Sequence, residues 1–375
     1  MRSQSFTLGV AGILLLTGSA CAEPLPSAQL VIGPRILAVR TEVTTPLPFI
    51  EEEPDAASRA QALPFEGVTI TPFIVGTEGP YAPDTVSPAW IACEMSPGQG
   101  LFGCIQDTFP IKLEDIPDCP EVDLFTFDLE DPPESISPCL ISREFAPEFT
   151  VPFSQNLFVG GDIELFMIAG TPGGTSTEDC AEPILDGDSQ LPNDCLYAVQ
   201  RLPLGPVEWM AALLEEFGIE IEGLEPVDAD ELPDADRNPR ITKIESTLFT
   251  ATGEQGATME IADGDTVTVR LGDTVRITTT SPEGDLQSYL IEVNNGESFE
   301  EEQENYYGAW YVTWGSLLTG FSDDPESFNE VTLVQGAQDE DETPANDEGH
   351  IYYVVRDDRQ GVAWWHLRLD LVPEE

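Results

Sequence analysis

Apolar and polar residues alternate with a period of two over many short stretches of the chain, and the period predicts β-strands. Residues of β-branched or aromatic type, bounded by Gly, Pro, Asp or Ser, mark 35–43, 67–75, 87–93, 162–168 and 196–201 in the first half. The second half alternates more cleanly at 266–270, 273–278 and 288–293. The sharpest pattern is a hairpin in which 350–356 and 362–371 flank the turn Asp357-Asp-Arg-Gln-Gly361. Along its second strand Ala363, Trp365, Leu367, Leu369 and Leu371 face one way, and Trp364, His366, Arg368 and Asp370 the other. That parity predicts one buried and one solvated face. One segment has a helical period instead. Gly205-Pro206 opens it, Val207, Met210, Ala211, Leu214 and Phe217 form its stripe, and Gly218 can close it.

Short strands separated by turns predict a mainly β protein, two immunoglobulin-like β-sandwich domains in tandem. The expected divisions are a signal peptide at 1–20, a lipid-anchored tether at 21–30 and a disulfide-containing immunoglobulin-like domain with long stapled loops at 31–204. A short helix at 205–219, an acidic linker at 220–239 and a second immunoglobulin-like sandwich at 240–375 follow. The linker is Pro-punctuated and acidic (EIEGLEPVDADELPDADRNPR).

The N-terminus changes this picture, because Arg2 precedes an apolar run from Phe6 to Leu16 and then Thr17-Gly18-Ser19-Ala20-Cys21. A basic start, an apolar run and small residues are the layout of a secretory signal. The stretch resembles a bacterial lipoprotein signal, in which Cys21 becomes the acylated N-terminus; Gly18 departs from the usual Leu. Ordinary cleavage after Ala22 fits Ala20-Cys21-Ala22 as well and leaves a periplasmic or secreted protein. By the same resemblance, Ala22 favours the outer membrane. The other six cysteines, Cys93, Cys104, Cys119, Cys139, Cys180 and Cys195, are an even set and read as three disulfides in an exported chain. Six cysteines allow 15 connectivities. The simplest expectation is nearest-neighbour pairing (93–104, 119–139, 180–195), which closes the shortest loops.

Charge narrows the partners. The 375 residues carry 70 acids against 15 bases, a formal charge of −55, and only Lys112 and Lys243 are lysine. A nucleic-acid binder is excluded, because phosphate recognition needs Lys and Arg to displace counterions. Docking on an anionic membrane surface is disfavoured too, which leaves a lipid anchor as the membrane contact. The acid runs at 297–304 and 339–348 read as solvated loops.

Patches along the chain resemble a family of uncharacterised, very acidic lipoproteins of myxobacteria built from immunoglobulin-like sandwiches. They are Gly33-Pro-Arg-Ile-Leu-Ala-Val-Arg40, Pro88-Ala-Trp-Ile-Ala-Cys93, Asp236-Arg-Asn-Pro-Arg-Ile241, Thr313-Trp314, Thr319-Gly320 and Tyr353-Val-Val-Arg-Asp-Asp-Arg-Gln-Gly361 ahead of Trp364. The resemblance implies a fold and an envelope location. It carries over no activity and no site residues.

Candidate chemistry is sparse. With 70 acids, carboxylate pairs arise in any loop by chance. The two histidines, His350 and His366, lie near no nucleophile motif, and Gly187-Asp-Ser189 has no strand before it. The most pointed pattern is calcium-like: Asp234, Asp236 and Asn238 supply oxygens at positions 1, 3 and 5 of an EF-hand-like loop and Glu245 falls at position 12. Pro239 stands where the sharp turn needs Gly, and the next residues read as a strand. The open alternatives are a calcium-bridged junction between two sandwiches and a solvated acidic hinge. Tyr306, Tyr307, Trp310, Tyr311, Trp314 and Trp364 offer either core packing or a platform for sugar rings.

The leading expectation is a non-enzymatic, envelope-anchored surface lipoprotein that displays its domains for binding, adhesion or structure. Its partner would be an unidentified protein or polysaccharide. The alternative is a secreted carbohydrate-binding or carbohydrate-active protein that uses loop carboxylates and an aromatic platform.

Overall fold

The structure, a computed structural model, describes residues 28–372 apart from 49, 51–56, 96–109, 123–126, 128–132, 134, 159–161, 187–191, 207–208, 210–233, 283–284, 294–297, 323–325 and 334–346. The expected signal peptide, Cys21, Cys104, the body of the 205–219 helix and residues 220–233 of the linker lie outside these. The described chain is mainly β.

Its first half forms strands β1 (Arg35–Thr45), β2 (Gly67–Gly76), β3 (Gly79–Pro80), β4 (Ala89–Met95), β5 (Cys139–Ser142), β6 (Glu148–Thr150), β7 (Asp162–Gly170) and β8 (Cys195–Leu202). They make two sheets, β1-β2-β3 with β6 also on β2, and β5-β4-β7-β8. Val39, Ile70 and Ile74 from one sheet meet Trp90, Leu165 and Met167 from the other in a common core.

Among the described residues, helices α1 (Gln155–Phe158) and α2 (Thr177–Leu185) accompany these sheets. Helix α2 covers the far face of the second sheet, where Cys180, Ala181 and Leu185 pack on Ile91, Phe166 and Ile168. It starts where it does because the Ser176 hydroxyl accepts the Asp179 amide at 3.1 Å, and Glu178 and Asp179 place negative charge at the positive end of the helix. Disulfides join Cys180 to Cys195 and Cys119 to Cys139, two of the three nearest-neighbour pairs. Cys93 is also disulfide-bonded.

The second half contributes β9 (Lys243–Phe249), β10 (Gln255–Glu260), β11 (Thr266–Val269), β12 (Thr274–Thr280), β13 (Ser288–Val293), β14 (Ser298–Gln303), β15 (Tyr307–Val312), β16 (Ser316–Leu317), β17 (Phe321–Ser322), β18 (Glu326–Thr332), β19 (Glu348–Arg356) and β20 (Val362–Leu371). One sheet has the order β10-β9-β12-β18-β16 and the other β11-β20-β19-β15-β17, with β13 and β14 as a separate ribbon. β11 runs parallel to β20, while β19 and β20 form the antiparallel hairpin expected from the sequence. Between the two sheets Trp310, Tyr353, Trp365 and Leu367 pack on Val275, Ile277 and Val331.

The two units meet face to face through β1-β2 and β15-β19-β20. In β2, Val68, Ile70 and Ile74 point into the first core, while Phe73 and Val75 point at the second unit. In β19, Tyr353 and Val355 serve the second core, while Tyr352 and Val354 face back. Phe73 stacks on Trp364 with ring centroids 5.1 Å apart and planes 4° apart, and the Arg40 guanidinium covers the same indole at 4.9 Å. The face of β20 expected to be solvated is therefore half-buried. Period two marked the faces correctly, but a second apolar layer covers the outer one.

Phe73→Ala removes the ring at the centre of this contact. The expected loss is about 3–5 kcal/mol, read by denaturant unfolding followed through circular dichroism and tryptophan fluorescence. A loss below about 1 kcal/mol, the scale of a surface substitution, would show that the two units do not depend on the contact.

Candidate functional site at the junction

The turn between β19 and β20 reaches into the junction of the two units. Asp357 Oδ1 accepts the amides of Arg359 at 2.9 Å and Gly361 at 2.8 Å, which folds the turn on its own first residue. A Cβ on Gly361 would fall 2.1 Å from Asp357 Oδ2 and 2.8 Å from the Arg237 carbonyl oxygen, so a side chain has no room there.

The turn presents Arg359 to three parts of the chain. Its Nη1 donates to Glu304 Oε1 at 2.9 Å, and its Nη2 donates to Gln61 Oε1 at 3.1 Å and to the Asp234 carbonyl at 3.4 Å. The guanidinium also lies 5.1 Å over the Tyr289 ring. Asn238 makes a second bridge: its side-chain amide donates to the Thr41 carbonyl of β1 at 2.8 Å, and its oxygen accepts the Val362 amide of β20 at 2.9 Å.

Asp236 sits between these bridges. Its backbone amide donates to Gln61 Oε1 at 3.0 Å, and its carbonyl accepts the amides of Ala60 and Gln61. Its carboxylate is 0% exposed; the Arg237 amide leans toward it, but neither oxygen accepts a well-formed hydrogen bond from the described residues. Burial, and after it the negative charge of Asp357, holds this carboxyl well above the usual range; Arg359 offsets part of the effect. Asp357, 1% exposed, is pushed up to about 7 by burial and next by Glu304. Glu304 is raised by burial as well, against the pull of the Gln287 amide and Arg359.

The four residues of the calcium-like pattern are not gathered into one group. Asp234 is exposed and offers its carbonyl to Arg359. Asn238 is occupied by the bridge from β1 to β20. Glu245 lies in β9 beside Lys243 at 2.8 Å. Among the described residues no three His, Cys, Asp or Glu side chains converge as a ready ligand set. Glu304, Asp357 and Arg359 were not singled out from the sequence. The turn signal was legible there, but nothing in it says what the turn touches.

The two histidines meet each other. His350 Nδ1 and His366 Nε2 are 2.9 Å apart, with the Tyr352 ring stacked on both imidazoles. The β2–β3 turn closes over them, since Gly79 abuts the His350 ring and the Tyr352 hydroxyl donates to the Gly76 carbonyl at 3.1 Å. Burial, then His350 and Arg368, lowers His366 to about 4, and burial also lowers His350. Of the aromatic cluster, Tyr306, Trp310 and Trp314 are buried and Trp364 is stacked between the units. Tyr307 is exposed, as are Phe321 and Phe328 elsewhere in the second unit.

The acid pair and the histidine pair predict opposite responses to pH. Raised carboxyls contribute stability that is full below the ordinary Asp value and is lost as pH rises through the folded value, about 7 for Asp357. Lowered imidazoles contribute stability that is full above the ordinary His value and is lost as pH falls toward about 4 for His366. In EDTA, Asp357→Asn should therefore raise the free energy of unfolding at pH 8 by on the order of a few kcal/mol, and much less at pH 4. His366→Gln should do the reverse and relieve acid loss. Melts of the three proteins from pH 4 to 8 check this; parallel curves would refute both assignments. Among known proteins, no family model and no curated protein matches the chain. A solved structure, the dimeric latent PorU of Porphyromonas gingivalis, aligns with 92% of this chain and 24% of its own at 10% identity and a TM-score of 0.20. The chain spans only that fraction of PorU, and a likeness at this level carries no argument about fold or activity.

Proposed function

We propose that the chain is an exported, lipid-anchored and non-enzymatic envelope protein that displays two stacked immunoglobulin-like units to a protein or polysaccharide partner. One observation carries the reading: among the described residues, the side chains most capable of chemistry are spent inside the fold, in the junction or in the core of the second unit. The histidines hydrogen-bond each other, the Asp236 and Asp357 carboxylates are buried away from solvent, and the indoles of Trp310, Trp314 and Trp364 pack inward. What remains for a partner is surface and loop, the usual resource of display domains.

The immunoglobulin-like assignment draws on the second unit. One sheet joins β9, β12 and β18, and the facing sheet runs β11-β20-β19-β15 with β11 parallel to the final strand. Trp310 on β15 fills the core where such sandwiches place a tryptophan on their third strand. In the first unit the assignment rests on the two facing sheets alone. The sugar-binding alternative loses Trp310 and Trp314 to the core and Trp364 to the junction, and Tyr307, Phe321 and Phe328 are the aromatics that stand exposed among the described residues of this unit.

Anchoring is tested by labelling cells that express the chain with a traceable palmitate analogue. The label should enter the wild-type protein, and Cys21→Ala should abolish it and release the protein from the outer membrane. An unlabelled mature protein that begins at Glu23 would sink the anchored reading and favour simple secretion.

A further inference from the structure

The junction encloses more negative charge than its protein partners balance. Asp236, Asp357 and Glu304 are all buried, and Arg359, the guanidinium that faces them, is paired with Glu304. Among the described residues neither oxygen of Asp236 nor Oδ2 of Asp357 accepts a well-formed hydrogen bond, the Arg237 amide giving Asp236 a weak contact alone. Buried acceptors without donors are costly, and buried carboxylates more so, unless something positive lies between them.

The surroundings say what kind of positive group fits. Asp357 Oδ2 and the Arg237 carbonyl converge over Gly361, at 2.1 and 2.8 Å from the position a Cβ would take, and Arg237 directly follows Asp236. These are hard oxygens from carboxylate and main chain, with no sulfur or imidazole identified beside them. Such a set suits a hard divalent cation over a transition metal. Calcium accepts carbonyl oxygens in irregular geometry, whereas magnesium demands a near-ideal octahedron.

We propose that Asp236, Asp357 and the main-chain oxygen of Arg237 form a calcium site that clamps the 234–238 segment to the β19–β20 turn. Because Gln61 holds the Asp236 backbone, the clamp also fixes the first unit against the second. The site differs from the linear pattern in the sequence, which it shares only through Asp236. Two carboxylates with main-chain oxygen and water make a weak site, of the class that extracellular modules fill at about 10⁻⁴–10⁻³ M calcium. In this the proposal rests on the reading of the chain as an exported protein.

The test uses the EDTA-stripped protein at pH 8. Its thermal unfolding is followed in EDTA, in millimolar CaCl₂, in MgCl₂ and in NaCl of matched ionic strength. Terbium emission sensitised by Tyr306, and its displacement by calcium, reports occupancy directly. Calcium should raise the midpoint where magnesium and NaCl do not, and Asp236→Asn and Asp357→Asn should each weaken calcium binding by at least about tenfold, the loss of one charged ligand. Both substitutions are isosteric, and circular dichroism confirms that each variant is folded. A midpoint that follows ionic strength alone would overturn the site. So would stabilisation by acid but not by calcium, which would leave a shared proton between the two carboxyls. A calcium response that survives the double variant, or that falls equally on Asp234→Asn, would overturn this ligand set. Palmitate labelling is independent of all these outcomes, so failure of the anchor and failure of the cation site are told apart.

Discussion

Strands β2 and β19 carry buried apolar side chains on both faces, and neither unit can be complete while that is so. A strand with one buried face closes a two-layer core; a strand with two needs a further layer. Phe73 and Val75 on one side and Tyr352 and Val354 on the other meet this need for each other. The result is four sheets in succession with helix α2 on the outermost one. The polar bridges at Asn238 and Arg359 span the distance that wall keeps between β1 and β20. Their fixed geometry then specifies how the two faces register.

The same wall explains how so acidic a chain places its few cations. Arg40 lies over Trp364, Arg59 pairs with Glu66 in full burial, Arg237 donates to the Ala57 carbonyl, Arg356 to the Leu37 carbonyl, and Arg359 to Glu304. Five of the 15 bases thus stand at or beside the junction, where the dielectric is low and an unpaired charge is most expensive. Surface acids need no such partners, because water and salt screen them. The composition alone reads as a uniformly negative protein, while the structure sorts its charges by depth.

Much of the fold was legible in the sequence because strand patterns are local. The segments that became β1, β2, β4, β7, β8, β11, β12, β13, β19 and β20 all show their period or residue type within a few residues. Less was legible of β10, whose six residues are all exposed and so carry no apolar period. The junction was not legible at all. Gln61 meets Asp236 across 175 positions and Arg359 across 298, and no window along the chain records such a pairing. For the same reason the burial at residues 235–239, at the end of the acidic linker, has no local signal. Its composition suits a solvated hinge, yet Ala235, Asp236 and Asn238 are buried because two β units close on them.

One contact near the start of the described chain has a mechanical meaning. The Val312 amide donates to the Gln29 carbonyl, and the Val31 amide donates to the Val312 carbonyl, so Leu30 lies parallel to β15 of the second unit before the chain crosses into β1. The polypeptide is therefore fastened to its later unit before it enters its earlier one. Tension applied from the N-terminal side meets the bonds to Val312 first, and passes through β15 to β19 and β20 before it strains any hydrogen bond within the first unit.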